Sequence, residues 1–520
     1  MIPAKEFLLQ AKVQPEIYPS GVEQKIIILP NNIHKMQTLQ NLKPEKVWEY
    51  FSEILQIPRP SKKEEKILAY IRQFAEKNNL AYNQDNAGNI IITKPASPGY
   101  ENKRTLILQS HVDMVCEKNE ETHHDFETDA IQSYIQEGWL KSKGTTLGAD
   151  NGIGVAIQLA LLADRNAEHG TLECLFTVDE ESGMTGAFAI ENTFLSGRML
   201  INLDSEEEGE IYIGCAGGID TLIYIPVTFE TPERNYKFLN IQVKGLFGGH
   251  SGDDINKGRG NAIKLIIRLL WNLSQQTEYR ICSLRGGNLR NAIPRESSAI
   301  ITFHEDNFEE VLKIVEKQRT IILKEYKNEP DLSISSGDSE TWNTCLNSAS
   351  QNLILSCLHA CPNGVIEMSK EIPDLVETST NLASIRTHDH GEIEIVSSQR
   401  SSIASAKYHI ASRIRGLFGL AGAKVIHTDS YPGWTPNPDS ELLKIIRESY
   451  RRLYGKDPEV RAIHAGLECG LFIEKYPDLD MVSIGPTIKG AHSPDERVEI
   501  QTVEKFWSWM LDIIKSVPDK

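Results

Sequence analysis

Histidines and carboxylates end several apolar runs of this chain. TLILQS leads into His111-Val-Asp113, ECLFTV into Asp179-Glu180-Glu181, MLINL into Asp204, and MVSIG into the loop that holds His492. Imidazole together with carboxylate suits zinc and similar divalent ions, whereas calcium takes oxygen ligands alone. His111 and Asp113 stand two residues apart, so in extended backbone both face the same way. A ligating imidazole usually gives its other N–H to a carboxylate, a part Asp113 could play for His111. Taken alone, the pair reads more simply as a surface His-x-Asp. Asp150, in GTTLGADNGIGVAIQLALL, precedes a helix and could be its N-cap, yet a cap does not need glycines on both sides. Glu180 and Glu181 are adjacent and point in different directions. One could hold a cation while the other moves a proton, as hydrolytic metal sites require. In isolation DEES would be a solvated acidic loop, and the run Glu206–Glu208 after Asp204 is expected to be one.

Charge decides how many ions such a site would take. Asp150, Glu181 and Asp204 are three negative charges, which a single divalent ion leaves unbalanced. Two ions with a bridging hydroxide bring the set to neutrality, so a pair about 3.5 to 4 Å apart is the better fit.

These side chains need elements to hold them. The short apolar runs Ile90–Ile92, Thr105–Leu108, Leu172–Val178 and Met199–Leu203 suit buried strands, and a helix from about Ile153 to Ala163 suits a crossover between them. In an open α/β sheet, ligands bind beyond the carboxyl ends of the strands, where the His and acidic residues fall. Ahead of this sheet, Pro44 opens an amphipathic helix bearing Val47, Trp48, Phe51 and Ile54, and Ser61 with Glu64 reads as a capping box for a second. From about Ile219 the grammar changes to alternation, with Leu239, Ile241 and Val243 set against Asn240, Gln242 and Lys244, followed by an amphipathic helix through Ala262, Ile266, Leu269 and Leu273. After SYPGWTPNPDS come further helices, the run Met481–Ile484, and a closing helix with Phe506, Trp507, Met510 and Ile514. The expected architecture is an α/β domain interrupted by an inserted α+β domain. Its parts are an extension over residues 1–40, a catalytic domain over 41–218 and 431–520, and an insert over 219–430.

Composition narrows the class. At about 100 to 200 residues per domain, 520 residues suggest several domains. Forty per cent apolar and 24% charged residues give a globular chain, and a net charge of −17 without any basic stripe argues against a nucleic-acid partner. No apolar stretch reaches the roughly 18 residues of a membrane span, and the N-terminus lacks the pattern of a signal peptide, so no membrane role and a cytoplasmic location are expected. The eight cysteines form no C-x-x-C pair, which suits free thiols in a reducing compartment. Cys357-x-His359-x-Cys361 lies in the apolar stretch NLILSCLHACP and reads as a packed helix rather than a metal motif.

The words LQSHVDMVCEKN, LGADNGIGVA, FTVDEESGMTGA, NLDSEEEGEIYIGCAGG, GGHSGDDI, RNAIPRE, HAGLECG and GAHSPDE, in this order, resemble the co-catalytic zinc peptidases that include carnosinases, carboxypeptidase G and aminoacylases. Within them the chain is most similar to the aminoacyl-histidine (Xaa-His) dipeptidase branch, also called peptidase D, from about Leu42 to the C-terminus. The resemblance implies a mixed, mostly parallel catalytic sheet with an inserted lid, and two divalent metal ions, zinc first, with manganese or cobalt sharing such ligands. It implies that Asp150 bridges the ions, that His111 and Asp204 complete one shell and Glu181 with His492 the other, that Asp113 orients His111, and that Glu180 is the general base. A cis peptide at Asp150–Asn151 is implied as well. For the substrate it implies His250 as an oxyanion partner, Asn291 and Arg400 as holders of a carboxylate, and Gly466 as a backbone contact. The activity implied is hydrolysis of unblocked dipeptides, Xaa-His types included, by a homodimer formed through the lid. An aminoacylase or broader aminopeptidase is the related alternative, and a metal-binding scaffold without catalysis the distant one; a scaffold would have no use for a free acid such as Glu180 beside the ions.

Overall fold

The structure, a computed structural model, describes Leu39 and residues 41–520 apart from position 371. The expected extension therefore lies, Leu39 excepted, outside the described residues. An eight-stranded sheet holds the segments that end in His and acidic residues. Its order is Ala81–Gln84, Ile90–Lys94, Leu172–Thr177, Leu106–His111, Met199–Asn202, Asp480–Ser483, Glu210–Cys215 and Glu459–Ile463. The four strands from Leu172–Thr177 to Asp480–Ser483 run parallel. Leu106–His111, Leu172–Thr177 and Met199–Asn202 are buried throughout, which is why they read as continuous apolar runs rather than alternating ones. From Leu106–His111 the chain steps to the neighbour on one side, Leu172–Thr177, and then to the neighbour on the other, Met199–Asn202. The strand order thus reverses around His111, and a crevice opens beyond the strand ends at that point.

The helix Ala149–Ala163 makes the first crossover. It is buried on nearly every side, so it is apolar all round rather than amphipathic. It packs against Glu45–Ile54, whose Val47, Trp48, Phe51 and Ile54 are buried. Near the C-terminus, Glu441–Tyr454 and the closing helix Ile500–Ser516 pack together, with Glu441–Tyr454 also on the strand Asp480–Ser483.

A second, antiparallel sheet draws its strands from Gly217–Pro226 to Lys424–Tyr431. On Tyr236–Lys244 the alternation holds: Leu239, Ile241 and Val243 join a core with Ile266, Leu269 and Leu273 of the helix Ala262–Ser274, while Lys244 is exposed. The fold class expected from the sequence is the one observed, a mixed, centrally parallel sheet flanked by helices and interrupted in the chain by an α+β part. The chain passes between the sheets near Cys215–Gly217 and Tyr431–Trp434, and Cys215 and Trp434 exchange main-chain hydrogen bonds of 2.9 Å. A Cβ on Gly217 would stand 2.6 Å from the Tyr431 carbonyl oxygen, so the two crossings touch.

Two local expectations are overturned. Ser61 and Glu64 form no capping box before Glu65–Lys77: Glu64 Oε1 accepts from the N–H groups of Lys62 (2.8 Å) and Asp179 (3.0 Å), and Ser61 Oγ donates to Asp113 Oδ2 (2.8 Å). Buried donors and acceptors around the strand ends outcompete the helix terminus for these groups. Nor is Glu206–Glu208 a solvated loop. Glu208 accepts from Tyr450 Oη at 2.7 Å, Glu207 pairs with Lys489, and Glu206 is half-buried. Cys357-x-His359-x-Cys361 does lie on a packed helix, Ser348–Ala360 and its cap, with both thiols buried and the His359 ring stacked 4.6 Å from Trp271.

Candidate metal centre

Asp150 stands at the middle of the strand-end cluster. Its Oδ1 lies 3.0 Å from His111 Nε2, and its Oδ2 lies 3.3 Å from His492 Nε2. On the first side Asp204 Oδ1 approaches His111 Nε2 to 3.2 Å, and on the second Glu181 Oε2 approaches His492 Nε2 to 3.0 Å. The side chains fall into two half-sets, His111 with Asp204 and His492 with Glu181, and Asp150 turns one oxygen to each. The Asp150–Asn151 peptide is cis. Asn151 Nδ2 donates to the Leu203 carbonyl oxygen (3.0 Å) and to Asp204, which ties the Asp150 turn to the Asp204 strand.

His111, the acidic pair and the Asp150 loop are held from behind. His111 Nδ1 faces Asp113 Oδ1 at 3.3 Å, and Asp113 is wholly buried. Asp113 also accepts from the N–H of Glu180 (Oδ1, 3.0 Å) and of Glu181 (Oδ2, 3.2 Å), so one carboxylate sets both the imidazole and the acidic pair. The loop before Asp150 is gripped by Glu496, which accepts from four successive N–H groups, Leu147, Gly148, Ala149 and Asp150, at 2.7 to 3.2 Å. Buried Arg59 donates to the carbonyls of Val112 (2.9 Å), Asp113 (2.6 Å) and Gly148. Gly148 has φ 71°, and a Cβ there would lie 2.5 Å from Arg59 Nη2, so both the backbone and the packing require glycine.

The electrostatics are those of a cation site. His492 is pushed up to about 11 by its hydrogen bonds to Asp150 and Glu181. His111 rises well above its ordinary value, because Asp204, Asp113 and Asp150 outweigh the effect of burial. Burial pushes the Glu180 carboxyl well up, with Asp204, Glu181 and Glu468 adding to it. Burial, with Asp150 and Asp204 close by, carries Glu206 to about 8. Three carboxylates and two imidazoles converge, and the buried Glu181 Oε1 has no hydrogen-bond partner among the described residues. Ligand atoms of His111, Asp150 and Glu181 lie within 4.8 Å of one another, so the donor set fits divalent cations of the zinc type. A second acidic group, Glu64, Asp113 and Asp179, differs in kind, since main-chain N–H groups and hydroxyls already occupy its oxygens.

The residues expected to touch substrate stand elsewhere: His250, Asn291 and Arg400 on the second sheet and its loops, and Gly466 in the loop after Glu459–Ile463 of the eight-stranded sheet. Arg400, from the strand Glu392–Ser401, is 7% exposed; its Nη2 lies 3.4 Å from His250 Nε2 and its Nη1 donates to Tyr431 Oη at 2.8 Å. A Cβ on Gly466 would lie 2.9 Å from the Tyr431 ring, which places that loop against the same tyrosine. Asn291 joins through its backbone, its carbonyl oxygen accepting from Ser251 N–H at 2.8 Å, while its side chain is exposed. Arg400 and Gly466 thus meet at Tyr431, His250 joins them through Arg400, and Asn291 is at their margin. Sequence reasoning missed Tyr431, Arg59, Glu496, Glu206 and Glu468. Glu496 and Glu468 lie inside GAHSPDE and HAGLECG, so those words did carry a signal for them; Arg59 and Tyr431 had none.

The model of peptidase family M20/M25/M40 matches residues 107–516. The chain is 43% identical over 486 residues, 93% of its own length and 100% of the relative's, to the cytosol non-specific dipeptidase of Escherichia coli (strain K12). The crystal structure of aminoacylhistidine dipeptidase from Vibrio alginolyticus superposes with a TM-score of 0.84 at 44% identity, covering 93% of this chain and 98% of that one. Aminopeptidase PepT from Bacillus cereus shares the fold at 16% identity and a TM-score of 0.55, with 92% and 99% covered.

Proposed function

This chain belongs to peptidase family M20/M25/M40, and we propose that it is a metallo-dipeptidase that hydrolyses unblocked dipeptides, Xaa-His substrates such as carnosine included. The observation that carries this reading is Asp150, with one oxygen toward His111 and the other toward His492, and Glu180 beside them outside both half-sets. His111, Asp150 and Asp204 would hold one divalent ion, and Asp150, Glu181 and His492 the other, with zinc preferred for its nitrogen and oxygen ligands. When bound, such a pair lowers the pKa of a shared water and polarises the peptide carbonyl.

The chain's own side chains do the rest. Glu180, whose proton affinity burial has raised, takes the proton of the attacking water and passes it to the departing amine. Asp113 holds His111 in one orientation and keeps the Glu180–Glu181 segment in place through two N–H groups. His250 is the donor for the developing oxyanion, and Arg400, braced by Tyr431, takes the substrate carboxylate, with Asn291 and the backbone at Gly466 as further contacts. We place the catalytic part at residues 41–218 and 431–520 and the lid at 219–430, in a cytosolic homodimer formed through the lid; light scattering tests the dimer.

A panel of dipeptides, N-acyl amino acids and tripeptides assayed with added zinc tests the function. Dipeptides, carnosine among them, should be cleaved and the other two classes left largely intact. Preferential cleavage of N-acyl amino acids would replace the reading with an aminoacylase.

A further inference from the structure

Below the metal cluster the strands share a buried polar network that the mechanism above does not use. Glu468, fully buried in HAGLECG, accepts through Oε2 from Gln109 Nε2 at 2.6 Å and from Thr177 Oγ1 at 2.8 Å. Gln109 in turn accepts through Oε1 from Asn202 Nδ2 at 2.6 Å, and Asn202 accepts from Ser483, whose hydroxyl lies 2.7 Å from that of Ser205. Gln109 precedes His111 by two residues and Asn202 precedes Asp204 by two, while Thr177 ends the strand that runs into Glu180 and Glu181. One chain of hydrogen bonds therefore crosses the parallel strands just beneath the ends that carry the ligands and the base. Polar groups in such a place are costly unless paired, and a sheet needs none of them for its own pairing.

The segment that supplies Glu468 has a second anchor. His464 Nε2 lies 2.7 Å from Ser379 Oγ on the strand Val376–His388, the sheet neighbour of Arg400. Gly466, packed against Tyr431, sits between the two anchors. The segment His464–Glu468 is thus fastened at one end to the sheet that bears Arg400 and at the other to the strands that bear His111, Glu180 and Asp204.

We propose that Glu468 is a positioning residue for hydrolysis, locking the segment that carries Gly466 to the strands that carry the metal ligands and the base. This rests on the dipeptidase reading. Its fully buried Oε1 has no hydrogen-bond partner among the described residues, so the carboxylate is committed there through Oε2 to Gln109 and Thr177. Loss of that acceptor lets the strand ends and the Gly466 loop move independently, so the rate of the chemical step falls while the substrate contacts of His250 and Arg400 on the second sheet remain.

The test compares wild type, Glu468→Leu, Glu468→Gln, Thr177→Val and the double variant Thr177→Val/Glu468→Gln. The readouts are kcat and KM on one dipeptide at saturating zinc, bound metal by elemental analysis, and a thermal melt. Wild-type hydrolysis in the same assay checks the underlying reading separately. Glu468→Leu should lose about 10- to 100-fold in kcat, the range seen for residues that orient metal ligands, with KM nearly unchanged and two ions retained. Glu468→Gln, which keeps an accepting oxygen, should recover most of the rate, and its effect should be non-additive with Thr177→Val. Should Glu468→Leu not fold, the Gln and Val variants decide. A kcat near wild type in Glu468→Leu, a loss confined to KM, or strict additivity of the Gln and Val effects would overturn the assignment.

Discussion

Replacing Asp113 by asparagine removes an accepting oxygen from a place with none to spare. Oδ1 faces His111 Nδ1 at 3.3 Å and accepts the Glu180 N–H at 3.0 Å; Oδ2 accepts from Ser61 Oγ at 2.8 Å and from the Glu181 N–H at 3.2 Å. Asparagine can offer its oxygen to only one side. Ser61 can rotate its hydroxyl to accept, but a main-chain N–H cannot, so in either orientation one partly buried donor of the Glu180–Glu181 segment loses its acceptor. Such a loss costs about 1 to 3 kcal/mol. Because the same carboxylate orients His111, metal affinity or activity should fall by about 10- to 100-fold as well. Asp113→Asn should therefore fold with a Tm a few degrees lower, bind zinc more weakly in competition with a chelator, and hydrolyse dipeptides more slowly even at saturating metal. Wild-type affinity and rate in this variant would refute the idea that Asp113 organises both halves of the centre.

Other perturbations separate the remaining roles. Glu180→Gln should keep its metal and lose at least about 100-fold in kcat, the low end of a general base's contribution, whereas Glu181→Gln should bind less metal; elemental analysis of both proteins distinguishes them. Glu496→Gln leaves some of four N–H groups, three of them buried, facing an amide NH2 instead of a carboxylate oxygen, so a denaturant melt should show a loss of about 2 kcal/mol or more. The carboxylates that raise His492 to about 11 set a sign for pH. That pairing contributes stability in full below the ordinary histidine pKa and loses it as pH rises through about 11, so a cation binding at neutral pH must displace the proton. Apparent metal affinity should increase with pH, and calorimetry in buffers of different ionisation enthalpy should register proton release on binding.

The central strands were legible because burial on both faces leaves an unbroken apolar run, as in Leu172–Thr177 and Met199–Asn202. The candidate cluster was legible only in part: His111, Glu181 and Asp204 follow such runs, yet each alone read as a surface or loop group, Asp150 precedes a helix, and it took the family resemblance to join them with His492; the five do come together. What stayed hidden depends on tertiary contacts alone. Ser61 and Glu64 carry the spacing of a helix cap, but Asp113 and the Asp179 N–H claim them across more than 50 residues. Glu206–Glu208 reads as solvent-facing by composition, yet Tyr450 and Lys489, remote in sequence, fold over it. Arg59 and Tyr431 belong to no local pattern, since each acts on segments that meet only in the folded chain.

Hydrolysis by this centre requires Asp150 to serve two cations at once. Stripping the protein of metal and titrating zinc back while following dipeptide hydrolysis measures this directly. Activity should plateau at two ions per chain, and Asp150→Ala should retain neither. A plateau at one ion, or an Asp150→Ala protein that still binds two and turns over normally, would contradict it.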